Sequence, residues 1–167
     1  MKKALLVIDM QNVCVGEGHA AYFKYDNQDL IGKVNQVIDG NEDNMVIYIK
    51  NVMKKNLLNR FAPFQAYEGT KEVEFVDKLH IVSDKVFVKN KGDAFSNPEL
   101  DTFLKTQEIQ CVEVIGVDGG GCVALTALGA VRHGYKVIVN EPAIGTMFDK
   151  KRDRYFEKLR KEGAEFV

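Results

Sequence analysis

The chain has 167 residues, which suits one domain spanning 1–167 and hardly two. Hydrophobic residues make up 46% and charged residues 28%, an ordinary globular balance that hides roughly 70% of the unfolded surface without staples. The net charge of -1 excludes a strong field toward nucleic acid or anionic membrane, no run approaches the ~20 apolar residues of a membrane span, and Met1-Lys2-Lys3 opens an apolar run too short for a signal peptide.

Ala4-Leu5-Leu6-Val7-Ile8 is a continuous apolar run stopped by Asp9, which predicts a strand buried on both faces. Leu30, Ile31, Val34, Val37 and Ile38 recur at helical spacing, predicting a helix over 29–39 that Gly40 ends. Met45 to Ile49 reads as a second strand. Between Asn51 and His80, Phe61, Pro63, Phe64, Tyr67 and Gly69 predict a loop whose aromatics pack onto something, with a short helix over 72–78. Lys85 to Lys89, built on Val86-Phe87-Val88, is a third strand.

Pro98 opens a helix to about residue 105, in the first turn where its missing N–H matters least. Val112 to Val117 is a fourth strand; Gly119-Gly120-Gly121 then turns into a helix from Cys122 to His133, closed by Gly134. A fifth strand over 136–139, a helix over 150–161 and a short edge strand at Glu165-Phe166-Val167 complete the chain. Strands alternating with helices, without hairpin signals, predict an α/β fold with a parallel sheet covered on both faces. Cys14, Cys111 and Cys122 are odd in number and form no CxxC pattern, which points to free thiols in a reducing cytoplasm. Lys54, Lys55 and Arg60 read as a solvated basic face.

In an open parallel sheet, ligands bind beyond the carboxyl ends of the strands, where strand order reverses. Asp9 ends the first strand, Lys89 ends the third, and Cys122 follows the fourth after its glycine turn. A cysteine at a helix start faces the positive end of the dipole, which together with Lys89 is expected to lower its thiol pKa. The N–H groups there are suited to an oxyanion, and Asp9 to moving the thiol proton. Taken singly, each has a plain alternative: Cys122 a buried small residue, Asp9 a turn cap, Lys89 a solvated charge.

Taken together, three segments resemble the isochorismatase-like cysteine hydrolase superfamily, which includes nicotinamidases and N-carbamoyl amide hydrolases. They are Leu5 to Asn12, Val88-Lys89-Asn90-Lys91-Gly92-Asp93-Ala94-Phe95, and Val114 to Val123 continuing to Thr126-Ala127 and Gly134-Tyr135; the tail from Tyr155 to Val167 is also similar. The resemblance implies a three-layer, Rossmann-like fold with a six-stranded parallel sheet, and an Asp9-Lys89-Cys122 triad. It further implies a cis peptide between Val117 and Asp118 and an oxyanion hole made by the backbone N–H groups of Asp118 and Cys122. The implied reaction is thiolate attack on a small amide or carbamoyl C–N carbonyl, with a thioester intermediate. A homo-oligomer, dimer or tetramer, is implied by the same resemblance.

Departures refine the expectation. The stretch from Ile49 to Gly69 holds no histidine, whereas nicotinamidases of this superfamily carry an Asp-x-His…His metal site there. His19, His80 and His133 are scattered singles, so no metal and no cofactor are expected. The cysteine points away from isochorismatase-type vinyl-ether hydrolysis. Gln11, Phe23, Phe61 and Phe95, with Tyr22 and Phe64, are candidates for a pocket holding a small, flat or partly apolar substrate, or else ordinary core. Rival readings are a thiol redox protein and an inactive family scaffold; the glycines around Cys122 fit no nucleotide-phosphate loop.

Overall fold

The computed structural model describes residues 1–25, 27–57 and 59–167. Six strands form one sheet: β1 (Lys3–Ile8), β2 (Met45–Asn51), β3 (Val86–Lys89), β4 (Cys111–Val117), β5 (Lys136–Gly145) and β6 (Glu165–Phe166). Their order is β3-β2-β1-β4-β5-β6, and every pairing is parallel. The chain winds outward from β1 to β3, returns to place β4 beside β1, then winds outward the other way. Strand order therefore reverses between β1 and β4, and in open parallel sheets the carboxyl ends at such a reversal are where ligands bind.

Helices α1 (Asn12–Val15), α2 (Asn27–Asp39), α3 (Pro98–Thr106), α4 (Cys122–Arg132) and α5 (Asp149–Lys161) complete the layers. Alternate residues of the central strands feed two cores. Leu6, Ile8, Ile47 and Val114 pack with Leu100 and Leu104 of α3, Val123 and Ala127 of α4 and Phe156 of α5. On the other face Leu5, Val7, Val46 and Ile115 pack with Val13 of α1 and Leu30, Val34 and Ile38 of α2. Burial on both faces explains why these strands are unbroken apolar runs.

Three local readings are revised. A one-turn helix at Asn12–Val15 follows directly on Asp9, too short for any periodicity to announce it. The helix expected over 72–78 is only a 3-10 turn at Lys71–Val73. Beyond that turn its backbone is also tied outward, since Asn12 N–H donates to Glu74 O and Val76 N–H donates to Met10 O. Strand β5 runs on to Gly145, well past Val139, because the β4–β5 register shifts between Val114 and Gly116. That irregularity accommodates Pro142, which lacks the N–H a regular ladder requires.

Gly116 is the position that lets the two central strands close on each other. It pairs with Ile8, has φ of 107°, and a Cβ there would lie 2.2 Å from the Ile8 carbonyl oxygen. Gly116→Ala therefore adds a backbone clash to an unfavourable dihedral. Urea unfolding is expected to show a loss of about 3 kcal/mol or more; a loss under about 1 kcal/mol would contradict this reading of the β1–β4 contact.

Candidate active site

The backbone leaves β1 abruptly. Asp9 adopts φ of 54°, a left-handed conformation that aspartate tolerates better than most residues. Its N–H donates to Ile49 O (3.0 Å), holding the end of β1 against β2, and its carboxylate is buried. Lys89, the last residue of β3, reaches past β2 to the same place. Its Nζ donates to Asp9 Oδ2 at 2.8 Å and to Cys122 Sγ at 3.3 Å. The Lys89 and Asp9 side chains are 1% and 4% exposed, so this ion pair is sealed from water. The structure thus brings Asp9, Lys89 and Cys122 into one contact.

Burial alone favours a neutral lysine, but the Asp9 carboxylate and Cys122 outweigh it and hold the Lys89 ammonium above its ordinary value. Cys122 goes against the expectation of a lowered thiol. Burial, reinforced by the Asp9 carboxylate, pushes it up to about 12, and the Lys89 ammonium only partly offsets this. Desolvation and a neighbouring negative charge both disfavour a thiolate. The resting group at neutral pH is the thiol. Asp9 Oδ1 is buried beside it without a hydrogen-bond partner among the described residues.

The turn before Cys122 is held from several sides. The Val117–Asp118 peptide is cis. Asp118 O accepts from Gly121 N–H (2.9 Å) and Val123 N–H (3.0 Å), and Gly119 N–H donates to Gly145 O (2.9 Å). The glycines fit because the β5–α5 connection lies against them. A Cβ at Gly119 would stand 2.4 Å from Thr146 Oγ1, and one at Gly120 would stand 3.2 Å from Arg152 N. No side chain caps α4. Among the described residues, the N–H groups of Asp118 and Cys122 have no acceptor.

The six residues singled out as pocket candidates go to different places. Gln11 is fully buried, and its amide is fully engaged: Nε2 donates to Asn51 O and Val73 O, and Oε1 accepts from Asn51 N–H. It ties the exits of β1 and β2 together and presents no free polar group to a ligand. Phe61 is 81% exposed on the turn Asn59–Phe61. Phe95 lies in the core, 5.0 Å from the His133 ring and 5.7 Å from that of Tyr135. Phe23 joins an aromatic group with Tyr22, Tyr25 and Phe64.

Two residues not among the site candidates of the sequence stand beside the site. Tyr25 donates its hydroxyl to Asp118 Oδ2 at 2.9 Å. Cys14 of α1 is buried, and burial followed by the nearby Asp9 and Cys122 raises its thiol. Cys14 could have been found from its place five residues after Asp9, on the turn leaving β1; Tyr25 carries no sequence signal of its own. A cleft of about 730 Å³ opens at the carboxyl ends of β2 and β3, bordered by Lys54, Lys55, Glu68, Lys89, Asn90 and Asn97. A larger one of about 1160 Å³ lies between α1 and α2 and is lined by none of Asp9, Lys89 or Cys122. Among the described residues, no three His, Cys, Asp or Glu side chains are gathered as metal ligands. His80 pairs instead with Asp39 and His133 with Asp101. No helix of the described chain is long and apolar enough to cross a membrane.

Comparison with known proteins agrees with this architecture. The chain matches the isochorismatase domain over residues 3–167. A protein of Arabidopsis thaliana named as a probable inactive nicotinamidase is 27% identical over 146 residues, covering 79% of this chain and 74% of its own. The N-carbamoylsarcosine amidase of Thermoplasma acidophilum is 27% identical, with a TM-score of 0.84 over 99% of this chain and 95% of its own. The pyrazinamidase of Pyrococcus horikoshii, solved with zinc, shares the fold with a TM-score of 0.87 at 23% identity, over 100% of this chain and 99% of its own. With a domain match running from the first strand to the last residue, on the same six-stranded parallel sheet, the chain belongs to the isochorismatase-like hydrolase family.

Proposed function

We propose that this chain is a cysteine amidohydrolase that cleaves a C–N bond of a small amide or carbamoyl-type substrate. The observation that carries the reading is the buried Lys89 ammonium touching both the Asp9 carboxylate and the Cys122 sulfur. Three groups that are costly to bury are held together beyond the carboxyl ends of the strands, where strand order reverses, which a purely structural core has no need to do. The same intact contact argues against an inactive scaffold, the state printed in the name of the Arabidopsis relative.

The chemistry follows from the protonation states. With the thiol neutral at rest, its proton leaves as Sγ attacks the carbonyl carbon, and the open Oδ1 of Asp9 receives it. The C=O π pair moves to oxygen, and the resulting oxyanion is met by the N–H groups of Asp118 and Cys122. Asp9 then gives its proton to the departing nitrogen, the C–N bond breaks and ammonia or an amine leaves. Water attacks the thioester and gives a proton to Asp9, the second oxyanion collapses to C=O as the C–S bond breaks, and Asp9 passes its proton to the departing sulfur, which returns the acid product, the thiol and the Asp9 carboxylate. Lys89 keeps its proton throughout and balances whichever neighbour carries negative charge. No metal is required in this cycle.

Cys122→Ala removes the bond-forming atom. Ammonia release from a panel of small amides and carbamoyl compounds, with and without a carboxylate because Lys54 and Lys55 border the cleft, is expected to fall about 10⁴-fold or more. EDTA is expected to leave the wild-type rate unchanged. Retention of about a tenth of the rate in the variant would reject the nucleophile, and zinc-restored activity after chelation would reject the metal-free cycle.

The raised thiol gives a second test. A group with its pKa pushed up gains thiolate tenfold per pH unit until that pKa is reached, so iodoacetamide alkylation of Cys122 is expected to climb through pH 9 without a plateau. Asp9→Asn removes a charge that raises the thiol, so at pH 7 alkylation is expected to speed up while turnover falls about 100-fold or more. Turnover in Asp9→Asn within about twofold of wild type would remove Asp9 as the base.

A further inference from the structure

The Asp118 side chain is bound as thoroughly as its backbone. Its carboxylate accepts from Gly120 N–H on Oδ1, and from the Tyr25 hydroxyl (2.9 Å) and Met147 N–H (3.0 Å) on Oδ2. Those donors come from three segments: the glycine turn itself, the stretch before α2, and the β5–α5 connection. With the Asp118 carbonyl also accepting two bonds, the residue's one free backbone polar group among these is its N–H. That is the group assigned to the oxyanion. Side chains at 119–121 cannot brace the turn, because all three residues are glycine. The brace comes from Asp118 instead.

Tyr25 is the part of this brace that reaches outside the turn. Its ring stacks on Phe23 at 6.1 Å and lies against Gly145, where a Cβ would meet its Cδ1 at 3.0 Å. Burial and the Asp118 carboxylate both keep its hydroxyl protonated, so it is a donor across the working pH range. We propose that the Tyr25 hydroxyl and the Asp118 carboxylate form a latch that fixes the oxyanion turn, making both side chains positioning residues for the hydrolysis proposed above. The latch rests on that reading of the site. It links the aromatic group around Phe23 to the N–H that meets the oxyanion, so it acts on the rate of the chemical step more than on substrate binding.

The test separates the oxyanion turn from the thiol and needs no known substrate. Butyraldehyde adds to Cys122 when Sγ bonds to the carbonyl carbon, the π pair moves to oxygen and the thiol proton ends on that oxygen. The adduct's oxygen lies against the turn, whereas alkylation by iodoacetamide forms no oxyanion. Asp118→Asn disturbs three segments at once and risks the fold, so Tyr25→Phe, which keeps the ring and loses only the hydroxyl, carries the test. Butyraldehyde protection of Cys122, followed by mass spectrometry of the labelled peptide, is expected to weaken about tenfold in Tyr25→Phe. The alkylation rate without aldehyde is expected to stay within about twofold of wild type. Equal aldehyde affinity in the two proteins would overturn the latch, and so would alkylation slowed in step with adduct formation. Wild-type Cys122 that alkylates yet forms no adduct overturns it too, while leaving the nucleophile in place; Cys122 that resists alkylation even at pH 9 removes the nucleophile and the latch together.

Discussion

A lysine and an aspartate buried against each other at the end of the sheet govern most of what surrounds them. Lys89 and Asp9 come from strands separated by β2, roughly 10 Å apart at ordinary strand spacing, and meet because the lysine side chain spans the gap. Removing one partner of such a pair leaves an unpaired buried charge, typically a loss of about 3–5 kcal/mol. The pair is therefore tolerable only as a unit. Its presence fixes the exit of β1, where Asp9 takes a left-handed conformation, and the exit of β3, where Lys89 is the last strand residue.

That constraint shapes the cysteine's chemistry. A thiol beside a buried carboxylate is harder to ionise than one at an exposed helix start, whatever the dipole contributes. In the reaction proposed above, this makes Cys122 a group that stays neutral until a carbonyl arrives and an acceptor takes its proton. A silent thiol of this kind is protected from adventitious oxidation, since the thiolate is the reactive form. The glycine turn answers a different constraint. Thr146 and Arg152 approach so closely that side chains at 119 and 120 have little or no room, and the Asp118 carboxylate beside them accepts from Gly120 N–H.

Much of this was legible in the sequence. The central strands are apolar runs because both faces are covered, so the alternation with helical periods gave the sheet and its parallel sense. Asp9 and Lys89 stand where apolar runs stop and Cys122 follows the fourth run after its glycine turn, so parallel geometry sends all three to one rim; taken singly each has a plain alternative, and the triad itself is implied by the family resemblance. Their mutual distances, and the thiol's upward shift, were not visible, because desolvation depends on what packs around a group and has no sequence signature. Gln11 is a pocket candidate in the sequence, yet its amide closes the gap between β1 and β2. Phe61 and Phe95 have the same composition signal and opposite fates, one exposed and one in the core. Tyr25 sits in a stretch without periodicity, and only the fold brings it to Asp118.

The most direct test of the central claim is acid-quenched mass spectrometry of the protein during turnover of an amide it hydrolyses. The account predicts an adduct with the mass of the substrate's acyl group on the peptide bearing Cys122, appearing as ammonia or amine is released and lost again on continued incubation. Sustained release of ammonia with Cys122 unmodified at every quench time, or with the acyl group on another residue, would contradict it.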